Sequence, residues 1–183
     1  MSATNKSAVF MLTATALLIA VGILIPMVAP RVVIGAASFT LASHVAIFLA
    51  MFISPKVAIA VTLGTTIGFA VAGFPPVIVL RAVSHIIWSF PGALYLSRID
   101  KFKISFVELR IFSFIIAFVH GIGEVIAVSL FYFGTYFPEG QGLTWVFIFI
   151  GLGTIIHSMV DLEIANVIRL ALQTQKSYRD LVS

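Results

Sequence analysis

Apolar residues run through this chain in long blocks, with polar residues collecting at the block ends or recurring singly inside them. A block of about 20 apolar residues is what an α-helix needs to cross the hydrocarbon core of a bilayer. Six such segments are expected: 9–28, closed by Pro26 and Pro30; a second from Phe39 or Thr40 to Ser54-Pro55; a third from Lys56 to Ala72; then 77–96, 107–133 and 143–172. Proline lacks the N–H that continues a helix and clashes with the preceding turn. Gly73-Phe74-Pro75-Pro76 is a turn signal, and the polar, glycine-rich stretch 134–142 is expected to be a loop. Segments two and three are short for a span, so helices of uneven length are expected. The pattern predicts an all-α membrane protein, a compact bundle of six transmembrane helices forming a single domain over residues 1–183, with no internal repeat.

Composition agrees with this and excludes the soluble classes. The chain is 61% hydrophobic and 10% charged, with 17 Phe, and its mean hydropathy is +1.16; soluble domains are roughly 45–50% apolar. The first apolar block is too long for a signal-peptide core and lacks a small-residue cleavage site, so it is expected to remain in the mature chain. Without cysteine, disulfides and thiolate chemistry are excluded.

Charge sets the expected orientation. With the N-terminus in the cytoplasm, Lys6, Lys56, Arg98, Lys101, Lys103, Arg110, Arg169, Lys176 and Arg179 fall on that side, leaving Arg31 outside and Arg81 within a span. Both termini are then cytoplasmic and the protein is multi-pass in the cell membrane. The outer loops are 29–39, 73–76 and 134–142. The pI near 9.7 follows from this asymmetry, so no nucleic-acid partner is implied.

Seven ionisable residues lie inside the apolar segments: His44, Arg81, His85, His120, Glu124, His157 and Asp161. A charge at a helix centre costs roughly 2.5–3.5 kcal/mol on insertion scales, which makes each a candidate functional residue. Arg81, His85 and Trp88 are spaced i, i+4, i+7 and share a helical face; His120 and Glu124 share another, and Thr154, His157 and Asp161 a third. Most of the set converges on the outer half of the bundle.

Three chemistries fit such a cluster. The side chains can pair as interhelical glue, Arg81 with Glu124 for instance. They can line an outward-open pocket for a small solute, with Arg81 and the histidines meeting an anionic or ring-nitrogen group and Trp88, Phe131 and Tyr132 supplying flat contact. This is the preferred reading, with His44, Arg81, His85, Trp88, His120, Glu124 and His157 as substrate-binding residues. They can also hold a transition metal, since His120/Glu124 and His157/Asp161 each put two ligand types on one face, a spacing common by chance; no residue is assigned to a metal. Zinc-protease, nucleophile-elbow and phosphate-loop motifs are missing, so no catalytic residue is assigned, although an intramembrane His/carboxylate enzyme stays open. The role of Asp161 is not specified by this pattern.

Small residues add a second theme. Ala16-x-x-x-Ala20, with Gly22 nearby, and Gly64-x-x-x-Gly68 make smooth strips for close helix approach. For Gly64 and Gly68 packing within the bundle is expected; for Ala16 and Ala20, a partner subunit.

With six helices, Ala16-x-x-x-Ala20, the run Ile34-Gly-Ala-Ala-Ser-Phe-Thr-Leu-Ala-Ser-His44, and Gly73-Phe-Pro-Pro76 followed by Leu80-Arg-Ala-Val-Ser-His85, the whole chain resembles the S component of an energy-coupling factor (ECF) vitamin transporter. The resemblance implies a bacterial membrane subunit without ATPase or cofactor that captures a water-soluble vitamin at the outer face. It implies docking through Ala16 and Ala20 on a transmembrane coupling subunit driven by two cytoplasmic ATPases. It further implies toppling in the membrane to release cargo, with the 29–39 loop as a gate. Arg81 with several histidines favours pantothenate or niacin, whereas Glu124 beside aromatics fits pyridoxine or hydroxymethylpyrimidine. Few charges argue against folate. The family's metal-uptake relatives place ligands at the extreme N-terminus, and Met1-Ser-Ala-Thr has no histidine there; a transition-metal transport subunit remains the alternative.

Overall fold

Helices account for nearly all of the computed structural model, which describes residues 3–34, 37–133, 140 and 142–182. The first apolar block is α1 (Ala3–Val28). A short antiparallel ribbon follows, β1 (Arg31–Ile34) and β2 (Ala37–Thr40), in register Arg31↔Thr40 and Val33↔Ser38. Next come α2 (Val45–Ile53), α3 (Pro55–Val71), α4 (Pro76–Ser84), α5 (Ile86–Leu96) and α6 (Phe106–Phe133). The last apolar block runs unbroken through α7 (Leu143–Trp145), a π-helical stretch Val146–Leu152 and α8 (Gly153–Leu172), before α9 (Lys176–Val182).

Four helical runs are long and apolar enough to cross a membrane: Ala8–Val28, Pro76–Leu96, Phe106–Phe133 and Leu143–Leu172. Their outward faces are apolar, with Leu12, Leu17, Val71, Leu130 and Phe133 among the most exposed side chains. Contiguous apolar surface on this scale has no place in water and suits lipid.

The core forms around α2. Its nine residues rise only about 14 Å, half of what a span requires, yet all but Leu49 are buried. It packs against α1, α3, α5 and α8. Ser54 divides α2 from α3: its hydroxyl accepts from Val57 N at 3.2 Å, and Pro55 occupies the first turn of α3. On α1, Ile19 and Ile23 press against Gly64 and Gly68 of α3, where any Cβ would collide with them, so that glycine strip serves packing inside the bundle. Ala16 and Ala20 lie on an exposed face of α1.

Three expectations need correction. Phe39 and Thr40 do not begin a helix; they close β2, and α2 starts at Val45. The 29–39 segment, expected as a loop, instead carries nearly all of the β1–β2 ribbon, since a β-branched run such as Arg31-Val-Val-Ile pairs readily once a partner strand lies beside it. The 77–96 segment forms the expected span, as the run Pro76–Leu96, but its helix is interrupted at His85, where α4 meets α5. The loop expected over 134–142 lies outside the described residues, apart from Gly140 and Gly142.

Candidate functional site

Four chain segments bring the polar residues of the apolar blocks together. The turn before α2 contributes Ser43 and His44; the α4–α5 junction contributes Arg81, His85 and Trp88; α6 contributes His120 and Glu124; α8 contributes Thr154, His157, Ser158 and Asp161. All but Ser43 and His157 are buried, and Asp161, Trp88 and His120 are fully so.

Two carboxylates organise the cluster. Glu124 Oε2 accepts from Arg81 Nε at 2.7 Å and Nη2 at 2.5 Å and from Thr154 Oγ1 at 3.0 Å. Its other oxygen, Oε1, faces His85 Nε2 at 3.3 Å and His120 Nε2 at 3.4 Å. The Arg81–Glu124 pair anticipated as interhelical glue is thus formed, and it satisfies the demand that a buried charge be matched. The guanidinium is not used up: Nη1 has no hydrogen-bond partner among the described residues, and Arg81 borders open space.

Asp161 answers a different need. Its Oδ1 accepts from Ala42 N at 2.7 Å; its Oδ2 accepts from His44 N at 2.9 Å and lies 3.0 Å from His44 Nδ1 and 3.2 Å from His157 Nε2. The turn that leads from the ribbon into α2 is pinned to α8 in this way. Ala42 pays for that geometry with φ +65°, a left-handed conformation that costs an L-residue about 1–2 kcal/mol.

The imidazoles nest edge to face. Ring centroids of His44 lie 4.6 Å from His120, 4.8 Å from His85 and 5.0 Å from His157, and His85 lies 4.8 Å from His120. Trp88 sits beneath them, 4.8 Å from His120 and 4.9 Å from Phe48.

Above the cluster is a cavity of about 400 Å³. His44, Arg81, His85, Glu124 and His157 line it; Trp88 and His120 do not, and form the layer below its floor. Both had been expected at the substrate. They are displaced by their own helical position, because the i+7 step from Arg81 and the mid-span depth of His120 carry them about one turn deeper. Phe131 likewise stays off the lining while Tyr132 joins it. The ribbon covers one side: Arg31, Val33, Ser38 and Thr40, which share one face of the paired strands, all point at the space. Apolar walls come from Ile47, Phe69, Phe74, Val77 and Ile78. Thr65, Ser43 and Thr154 were not picked out as lining residues; hydroxyls in apolar helices carry no charge cost and give no comparable signal. Asp161, whose role the pattern left open, holds the site's backbone.

The arrangement offers cationic and neutral donors at one end of a roughly drug-sized space and flat apolar surface around it, which suits recognition of a small ring bearing an anionic group. Comparison with known proteins gives one significant likeness among curated sequences. The chain is 41% identical over 167 residues to the niacin transporter NiaX of Lactococcus lactis subsp. cremoris (strain MG1363), covering 90% of this chain and 75% of that protein. No protein-family profile matches, and no solved structure matches.

Proposed function

The chain belongs to the S components of energy-coupling factor vitamin transporters, and from that premise we propose that it captures niacin in the cavity lined by His44, Arg81, His85, Glu124 and His157. It is a membrane transport subunit for vitamin uptake rather than an enzyme. The carboxylate of niacin meets Arg81 Nη1 and His157, and the pyridine ring lies against Phe69, Phe74 and Tyr132. Hydroxyls of Ser43 or Thr65 face the ring nitrogen, while Trp88 and His120 act from the layer below. The observation that carries this assignment is a guanidinium aimed into a cavity with one of its donors unspent. Niacin ranks above pantothenate, pyridoxine and hydroxymethylpyrimidine because the relative is a niacin transporter.

In this proposal the chain is one six-span unit of the bacterial plasma membrane with cytoplasmic termini, and the cavity opens to the outside beneath the β1–β2 ribbon. Lys and Arg placement supports that orientation. Ala16 and Ala20, exposed on α1, dock a transmembrane coupling subunit that two cytoplasmic ATPases drive. Thermal unfolding of the purified chain against a panel of water-soluble vitamins tests the assignment. At 100 times its dissociation constant a ligand adds about 2.7 kcal/mol, or roughly 5–10 °C for a chain of this size. Stabilisation by niacin is expected; stabilisation by another vitamin with none by niacin refutes it.

A further inference from the structure

We propose that His44, His85, His120 and Glu124 form a binding site for one divalent transition-metal ion of the zinc class, set into the floor of the cavity. One nitrogen or oxygen from each of the four lies within 4.8 Å of the others, and all four residues are buried. His120 Nε2 is fully buried without a hydrogen-bond partner among the described residues, although a donor or lone pair in that position is costly to leave unmatched. It points at Glu124 Oε1, 3.4 Å away, as does His85 Nε2 at 3.3 Å. These are long for hydrogen bonds. They match the separation of about 3.3–3.5 Å between ligand atoms held 2.0–2.1 Å from a tetrahedral ion.

Ring placement agrees. An imidazole bound at that distance has its centroid roughly 3.2 Å from the metal, so rings on one ion stand about 5.2 Å apart at tetrahedral ligand angles and about 4.5 Å apart where those angles close towards 90°. The observed separations are 4.6, 4.8 and 4.8 Å, with interplanar angles of 81°, 75° and 84°.

The outer partners are those that orient metal ligands. Asp161 Oδ2 engages His44 Nδ1 at 3.0 Å, leaving Nε2 of that ring for the centre. Ser158 Oγ engages His120 Nδ1 at 3.2 Å, leaving Nε2 likewise. Arg81 and Thr154 occupy Glu124 Oε2, leaving Oε1 as a single-oxygen ligand. A second grouping, His44, His157 and Asp161, also brings one donor atom from each residue within 4.8 Å of the others, but there Asp161 is consumed by backbone amides. Nitrogen and oxygen donors without thiolate suit zinc, nickel or copper.

Charge balance points the same way. With neutral imidazoles the buried set Arg81, Glu124 and Asp161 sums to −1, an unfavourable host for an anion; a divalent ion makes it +1, which a monocarboxylate cargo neutralises. That last step rests on the niacin assignment, whereas metal retention is measured without any vitamin, so the two fail separately.

The test is elemental analysis of tag-free full-length protein in detergent after equilibration with Zn²⁺ and removal of free ion, with Co²⁺ loading read by visible absorption. About one zinc per chain and a Co²⁺ ligand-field band of a four- or five-coordinate site are expected. Both should be lost in His120→Gln and in His85→Gln that still elute as monodisperse protein, and retained in His157→Gln. Absence of bound zinc in the unsubstituted chain, or zinc undiminished in both the His120 and His85 variants, or zinc lost only in His157→Gln, overturns the proposal.

Discussion

Asp161→Asn isolates what the buried carboxylate contributes, because the substitution keeps the side chain's size and removes only charge and acceptor capacity. Asp161 is wholly buried. It serves Ala42 N at 2.7 Å, His44 N at 2.9 Å and His44 Nδ1 at 3.0 Å with two oxygens. An asparagine has one acceptor oxygen; if that stays on Ala42, the amide nitrogen faces two N–H groups and two bonds are lost. Hydrogen bonds to a charged group contribute about 1.5–3 kcal/mol each, so a loss of at least ~3 kcal/mol is expected. At about 2–4 °C per kcal/mol for this chain length, the melting temperature in detergent falls by at least ~6 °C.

Ala42→Gly then supplies an internal control. Relief of about 1–2 kcal/mol of left-handed strain exceeds the extra unfolded-state entropy of glycine, about 0.4–1 kcal/mol. A net gain near 0.5–1 kcal/mol follows, so the glycine variant melts slightly higher and partly rescues Asp161→Asn. Niacin affinity should fall with Asp161→Asn as well, since the amide no longer fixes which nitrogen of His44 carries the proton. Melting within ~2 °C of the parent protein, with unchanged affinity, would refute the anchoring role.

Three further outcomes are expected. Arg81→Lys keeps a positive charge for Glu124 but loses the planar fork, so the chain stays folded while the niacin dissociation constant rises at least ~10-fold by titration calorimetry; equal affinity removes Arg81 from the site. Ala16→Trp on the exposed face of α1 abolishes vitamin uptake by cells yet spares binding by the purified chain, and normal uptake would count against docking there. Gly64→Val drives a side chain into Ile19, an overpacking that costs about 1–3 kcal/mol, whereas Gly142→Ala meets open space and leaves the melting temperature in place.

Apolar runs and isolated charges made the helices and the polar cluster legible, because both are local properties of sequence. The ends of α6, and of the last helical run from the start of α7 to the end of α8, fall within a residue or so of expectation. What escaped depends on contacts distant along the chain. The ribbon strands are four residues each, too short for an alternating pattern to stand out from apolar background. Thr40-Leu-Ala-Ser-His44 is apolar enough to read as helix, and the contacts that hold it as a turn include Asp161, 117 residues from His44 and 119 from Ala42. The π-helical stretch Val146–Leu152 carries no proline or polar marker. That Trp88 and His120 stop short of the cavity was equally hidden, since helical spacing gives direction but not depth relative to a void.

Three departures from regular helix border the polar cluster, and at two of them a side chain of the cluster or its neighbours meets the freed backbone groups. Inside a bilayer a broken helix leaves amides and carbonyls with no water to satisfy them, so a break survives only where protein supplies the missing partner. At the ribbon-to-α2 turn, Asp161 takes the amides of Ala42 and His44. At the α4–α5 junction, Ser84 donates to the Arg81 carbonyl at 2.7 Å, and the ladder tightens as His85 N reaches Ala82 O at 3.3 Å. In the last span the ladder widens over Val146–Leu152, and there Gly151 O comes so close to Gly121 of α6 that a Cβ on Gly121 would stand 2.9 Å away. That close approach sets α8 against α6 and brings Thr154 to Glu124. Straight helices would have kept these residues on separate faces at separate depths; the breaks converge them, and the polar groups that satisfy the breaks are largely the ones left facing the cavity. Cluster and irregularity are therefore one design, and replacing either with ideal apolar helix removes the other.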